Sequence, residues 1–294
     1  MLLLIKYTLL YGIVLMLVAL GGMFSEHSGV INIALEGIMV VGGLAGVLVT
    51  ASLPTTMAPA LIVLAAVVAA AVCGMLYSLL LAFASINLKA DQTIGGTALN
   101  MLATAIAMIL AKNFNGSTSA KISYTNKPFL FSIGGLELSI FIPLGIVLLV
   151  VSYIVMYKTR FGLRLRACGE HPQAADSVGI NVYRMRYAGV LISGVLGGLG
   201  GIVYIIAGVS EWKFENGVAG FGFLALAVMI FGQWKPTRIA LAALLFGFFR
   251  ALGNVYSGFD LLSNLNLPSS VYNMLPYVIS LVVLAFTSQK SRAP

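Results

Sequence analysis

Apolar residues run along this chain in long unbroken stretches rather than in alternation. Residues 2–24 are apolar but for Lys6, and 29–52, 57–86 and 93–112 follow after short polar breaks. Beyond a polar interval the pattern resumes over 138–157, 187–209, 219–234, 237–258 and 271–287. At about 1.5 Å of rise per residue, about 20 residues cross a hydrocarbon core of about 30 Å as a helix. Strands of a membrane barrel would alternate instead, in segments of about 10 residues. The pattern therefore predicts an all-α integral membrane protein, a polytopic helical bundle of about nine transmembrane segments forming one domain over 1–294. An eight-crossing arrangement, with 2–24 only partly embedded, is the alternative.

The polar breaks set the organisation. Pro54 and Pro59 mark one turn, Asn87 to Gln92 form a short connector, and 113–137 is a loop rich in Asn, Ser, Thr, Lys and Gly. The interval 158–186 differs, because Lys158, Arg160, Arg164, Arg166, Arg184 and Arg186 flank a polar core from Glu170 to Gly179. Loops rich in Lys and Arg stay cytoplasmic. Alternation then places Lys89, Lys235, Arg238, Lys290 and Arg292 inside as well, and Lys112, Lys121, Lys127 and Lys213 outside, so the N-terminus is expected outside and the C-terminus inside. Within the polar core, Pro172 suits the first turn of a short helix and Gly179 its end. Ala174, Ala175 and Val178 would give that helix a small apolar face for docking on a partner.

Two Gly-rich lead-ins, Ser28 to Met39 and Asn216 to Ala227, open apolar segments from opposite faces by this count. An inverted repeat predicts that arrangement, with the first repeat at about 1–112, an external loop at 113–137 and the second repeat at about 138–287.

Composition agrees with the pattern. Charged residues make up 9% of the chain and hydrophobic ones 60%, with a mean hydropathy of +1.02. A soluble domain carries about 25% charge, so these charges could not cover a water-soluble surface of this size. The net charge of +8 is explained by retention of basic loops at the cytoplasmic face, and no nucleic-acid partner is expected. Cys73 and Cys168 are too few for a metal cluster and too unlike in setting for a disulfide. No small-residue cleavage site follows the first apolar stretch, which is expected to be retained. No metal or cofactor is expected.

Several polar residues lie inside apolar segments. Asn32 and Glu36, four apart, share a helical face. A buried carboxylate there costs several kcal/mol unless it is paired or meets water, about 2.5–3.5 on insertion scales. Glu36 either borders a water-filled path or is a packing carboxylate held by backbone donors at a broken helix start. Arg250 is expected to snorkel outward or pair with Asp260. Thr97, Asn100, Thr104, Gln233 and Trp234 either line a polar path or make interhelical hydrogen bonds. Glu26 and His27 resemble a catalytic pair but lie at a segment end without a nucleophile, and no catalytic residues are expected. Gly42 and Gly46, Gly194 and Gly198, and Gly197 and Gly201 are small-xxx-small pairs that bring helices close.

The stretch Ser25-Glu-His-Ser-Gly-Val-Ile-Asn-Ile-Ala-Leu-Glu-Gly37 resembles a signature of permease subunits of ABC importers in the branched-chain amino acid and simple-sugar superfamily. Gly95 to Asn100, Arg164 to Arg186 and Gly220 to Gly232 agree in order with the nucleoside-type branch, which pairs with basic-membrane-protein-like lipoprotein receptors. The resemblance implies a bacterial cytoplasmic-membrane permease with cytoplasmic ATP-binding subunits, a second homologous or identical permease subunit and an external substrate-binding lipoprotein. Glu170, His171, Ala174, Ala175, Asp176, Val178 and Gly179 match the coupling-helix loop through which the ATPases act. Asn32, Glu36, Asn100, Phe221, Phe223 and Gln233 are the expected lining of the solute path. Nucleosides are the first expectation for the solute, then riboflavin, then simple sugars. A secondary transporter with Glu36 as its ion site is the alternative from another class.

Overall fold

The computed structural model describes residues 2–255, apart from 55, 117–118, 134–135 and 207–210, together with isolated positions between 271 and 281. In chain order they form α1 (Leu2–Glu26), α2 (Leu35–Ser52), α3 (Pro59–Ala82), α4 (Gln92–Asn115), β1 (Lys121–Ser123), β2 (Leu130–Ile133) and β3 (Leu136–Ser139). There follow α5 (Phe141–Lys158), α6 (Arg160–Glu170), α7 (Pro172–Ser177), α8 (Val182–Ile206), β4 (Glu211–Lys213), α9 (Phe221–Phe231) and α10 (Pro236–Val255). Hydrocarbon offers no water to bond, so each long apolar run satisfies its backbone internally as a helix. Among the described residues, seven helices are long and apolar enough to span: α1, α2, α3 with the π turn Phe83–Asn87, α4, α5, α8 and α10.

Polar residues punctuate these helices. Asp91 caps α4 by accepting from the amides of Thr93 and Ile94 at 2.8 and 2.9 Å. Thr159 separates α5 from α6, its hydroxyl accepting from the Gly162 amide at 3.2 Å.

Two expected segments are corrected. The run 29–52 is helical only from Leu35, and 219–234 only over the 11 residues Phe221–Phe231. Hydropathy sees the apolar character of both lead-ins but not their backbone. Gly29 sits at φ +84°, and Gly217, Ala219 and Gly220 at +55°, +54° and +79°, which interrupts a right-handed helix. The stretch before α2 takes its backbone partners from side chains instead: Ile31 donates to Gln92 Oε1 at 2.8 Å, and the Ile33 carbonyl accepts from Asn100 Nδ2 at 2.9 Å. Apart from isolated positions, the segment expected over 271–287 lies outside the described residues, as do Asp260, Lys290 and Arg292.

The bundle is built around α8, which packs along α1, α2 and α3. Its glycines permit backbone contact. A Cβ on Gly198 would lie 2.3 Å from the Ala70 carbonyl oxygen, and one on Gly201 only 2.0 Å from that of Met39. The small-xxx-small spacing therefore marks two neighbours of α8, with α3 and α2 both met at Gly198 and α2 again at Gly201.

Contacts define two ends. At one, His27 faces Trp234, Tyr187 bonds Asn87 at 2.5 Å, and α6 and α7 lie alongside. At the other, β1 pairs antiparallel with β4, an ion pair joins Lys121 to Glu211 at 2.5 Å, and the Tyr124 hydroxyl donates to the Ile205 carbonyl at 2.7 Å. The strands β2 and β3 form a separate hairpin.

Candidate functional site

The two irregular lead-ins meet inside the bundle. The α9 helix begins there with amides that no residue of its own can satisfy. The Glu36 carboxylate fills that role: Oε1 accepts from Gly220 N at 2.8 Å and Oε2 from Gly222 N at 2.6 Å, with the Phe223 amide beside them. A carboxylate at a helix N-terminus also meets the positive end of the helix dipole. Gly222 fits closely, since a Cβ there would lie 2.4 Å from the Glu36 amide nitrogen. Glu36 is held by backbone donors, and the helix start it caps is α9 rather than its own.

Beside this junction lies a cleft of about 510 Å³, lined by Glu36, Thr97, Asn100, Met101, Thr104, Ala105, Met108 and Phe223. Small-molecule sites span about 300–1,000 Å³. The cleft opens along α4, where Met101 is 77% exposed. Asn100 fixes its floor, with Nδ2 bonded to the Ile33 carbonyl and Oδ1 accepting from Gly37 N at 2.7 Å. Both ends of that amide hold the lead-in to α4. Thr97 and Thr104 donate back to carbonyls of their own helix, at 2.9 and 3.2 Å, and keep acceptor lone pairs for a solute.

Of the expected path residues, Glu36, Asn100 and Phe223 come together in the cleft. Asn32 lies elsewhere, fully buried, donating to Ser193 Oγ at 2.8 Å on α8. Phe221 points into an aromatic cluster, 4.2 Å from Tyr204 and 5.5 Å from Tyr11 between ring centroids. Gln233 is at the α6–α7 end, bonded to Arg238. Arg250 stacks over Phe221 at 5.3 Å and bonds Tyr204 instead of snorkelling. Met101, Ala105 and Met108 were not singled out from the sequence. Their signal was the spacing 97, 101, 104, 105 and 108, which is one face of α4.

The loop 158–186 forms two helices that break at His171. Pro172 opens α7, and Gly179, at φ +84°, closes it with Gly179 N bonded to the Asp176 carbonyl at 2.9 Å. Ala175 turns inward and is 2% exposed, whereas the other expected coupling residues, Glu170, His171, Ala174, Asp176, Val178 and Gly179, face outward, with Val178 at 74%. Close by, burial holds the His27 imidazole below its ordinary pKa; the Arg166 charge acts the same way, against the Trp234 carbonyl and Glu170. Burial also raises the Cys168 thiol. Among the described residues, no group of three His, Cys, Asp or Glu side chains could hold a metal ion.

Comparison with known proteins fits this arrangement to a group. The model of the family described as branched-chain amino acid transport system / permease component matches residues 4–284. The chain belongs to that family. It is 42% identical to the nucleoside ABC transporter permease protein NupC of Lactococcus lactis, covering 97% of this chain and 92% of the relative. It is 40% identical to the guanosine ABC transporter permease protein NupQ of Bacillus subtilis, over 98% and 92%. A shorter match, 33% identical over 37% of this chain and 30% of the relative, is to NupB, a nucleoside ABC transporter permease protein also from Lactococcus lactis.

Proposed function

We propose that this chain is a permease subunit of an ATP-driven ABC importer that carries nucleosides across a bacterial cytoplasmic membrane. The observation that carries the reading is likeness along nearly the whole chain to two permeases named for nucleosides and guanosine. The cleft is chemically suited to such a solute. Phe223, Met101 and Met108 offer apolar and polarizable faces for a flat base. The Thr97 and Thr104 oxygens and the unspent lone pairs of Glu36 can accept from ribose hydroxyls and base amines.

The partners follow from the same reading. Cytoplasmic ATP-binding subunits dock on the outward face of α7, a second permease subunit closes the cleft along α4, and an external lipoprotein delivers the solute. The occurrence of NupC and NupB together in one organism supports a pair of permeases. Sidedness is supported by charge. Lys89, Lys158, Arg160, Arg164, Arg166, Arg184, Arg186, Lys235 and Arg238 gather at the α6–α7 end, whereas the β1–β4 end mixes Lys121 and Lys213 with Glu211 and Glu215. On this reading the N-terminus is outside. The meeting of two Gly-broken lead-ins from opposite ends supports an inverted repeat. Transport proceeds by alternating access, and the permease makes and breaks no covalent bond.

The test is uptake of labelled guanosine and adenosine by proteoliposomes holding this chain with its ATPase, second permease and receptor. Uptake that requires ATP and saturates is expected. Uptake that survives ATP depletion and collapses with an uncoupler would overturn the reading.

A further inference from the structure

The α9 helix is gripped by carboxylates at both ends, and both come from one short stretch of chain. Glu36 holds its first turn at 2.8 and 2.6 Å. Beyond its last turn, the Trp234 indole N–H donates to Glu26 Oε2 at 2.5 Å, and the Trp234 carbonyl faces His27 Nε2 at 3.4 Å. The turn presenting Trp234 places Gln233 and Trp234 at φ +51° and +53°. Such residues adopt that conformation only where their surroundings hold them. Bonds from Trp234 N to the Met229 carbonyl and from Lys235 N to that of Gly232, at 3.2 and 3.1 Å, fasten the turn to the end of α9.

The other side of the same stretch touches the loop read as the coupling element. A Cβ on Gly169, at the end of α6, would lie 2.5 Å from the His27 carbonyl oxygen. Contact therefore runs from α6 to His27 and Glu26, across to Trp234, along α9, and out to Phe223 and Glu36 at the cleft. An 11-residue helix is a rod of about 16 Å. Held at Glu36 alone it could pivot about its first turn; the second grip makes it follow residues 26–29.

We infer that the Glu26–Trp234 hydrogen bond is the link through which movement of the coupling loop reaches the cleft. Glu26 and Trp234 are positioning residues that touch no solute. The inference rests on the transport reading above.

The experiment measures solute imported per ATP hydrolysed by the complete complex in proteoliposomes, together with its melting temperature. Trp234→Phe keeps the ring and removes the donor, Glu26→Leu removes the acceptor, and Glu26→Gln retains an acceptor oxygen. The first two are expected to hydrolyse ATP at close to the wild-type rate yet import about tenfold less per ATP, a usual size for a coupling between sites. Glu26→Gln is expected to behave as wild type. A Trp234→Phe complex with the wild-type ratio would overturn the link and leave the transport reading standing. Equal loss of hydrolysis and import with a lowered melting temperature would also overturn it, reducing the bond to a brace. Wild-type import that needs no ATP would instead remove the reading on which the inference rests.

Discussion

The Glu36 carboxylate and the Gly222 amide, 186 positions apart in the chain, lie 2.6 Å apart in the fold. With the bond to Gly220 N this contact joins two pieces of irregular backbone that hydrocarbon would not tolerate alone. It also fixes which way Phe223 faces.

Glu36→Ala strips two charge-assisted bonds, each worth about 1.5–3 kcal/mol. The expected outcome is a large fall in melting temperature and loss of uptake. Glu36→Gln retains one acceptor oxygen and should assemble with reduced uptake. Thermal melting in detergent, read beside guanosine uptake, separates the two; a Glu36→Ala protein of wild-type stability would contradict the capping role.

Asn100→Ala orphans the Ile33 carbonyl and the Gly37 amide. Unsatisfied buried groups cost about 1–3 kcal/mol each, so stability should fall markedly. Thr104→Val, on the same face of α4, leaves those bonds intact. It should weaken solute affinity up to about tenfold, about 1.4 kcal/mol, without moving the melting temperature.

Glycines should divide by position. A Cβ on Gly198 meets the Ala70 carbonyl oxygen at 2.3 Å, whereas at Gly95 nothing lies within 4 Å. Gly198→Ala should part α8 from α3 and abolish a monodisperse preparation. Gly95→Ala should be neutral or stabilising by up to about 1 kcal/mol through helix propensity. Size-exclusion profiles of the purified variants check both.

Just past α7, Val178→Asp alters an outward side chain, and on it Ala175→Leu alters an inward one. The first should abolish co-purification of the ATPase while leaving thermal stability unchanged. The second should lower the melting temperature by overpacking, at a typical cost of about 1–3 kcal/mol.

Seven of the expected spans were legible because hydrocarbon imposes a length and a composition that survive any arrangement of neighbours. The junction was legible only in part: backbone donors at a broken helix start were one of the two readings of Glu36, but that the start belongs to α9 was not. The partners of Glu36 are backbone amides, and backbone carries no residue-type signal. Phe221 and Phe223 show a second limit. Two positions on a helix face about 200° apart, so one enters the aromatic cluster and the other the cleft, and aromatic character alone does not distinguish them. Ala174 and Ala175 divide between solvent and interior for the same reason. Gln233 was drawn to the path by its polarity within an apolar run, but α9 ends before it. Met101 and Met108 were legible in principle, as an i to i+7 row with Thr97 and Thr104, but apolar residues in a membrane segment carry no contrast of their own.

The position of α8 has a consequence for synthesis. The helices α1, α2 and α3 all pack against it, yet α8 spans Val182–Ile206 and is made long after them. Each emerges from the ribosome before the surface it will rest on exists. The glycine-lined contacts at Gly42 and Gly74 must stay unfilled in the lipid until α8 arrives. Assembly of the first half of the bundle is thus timed by translation of the second.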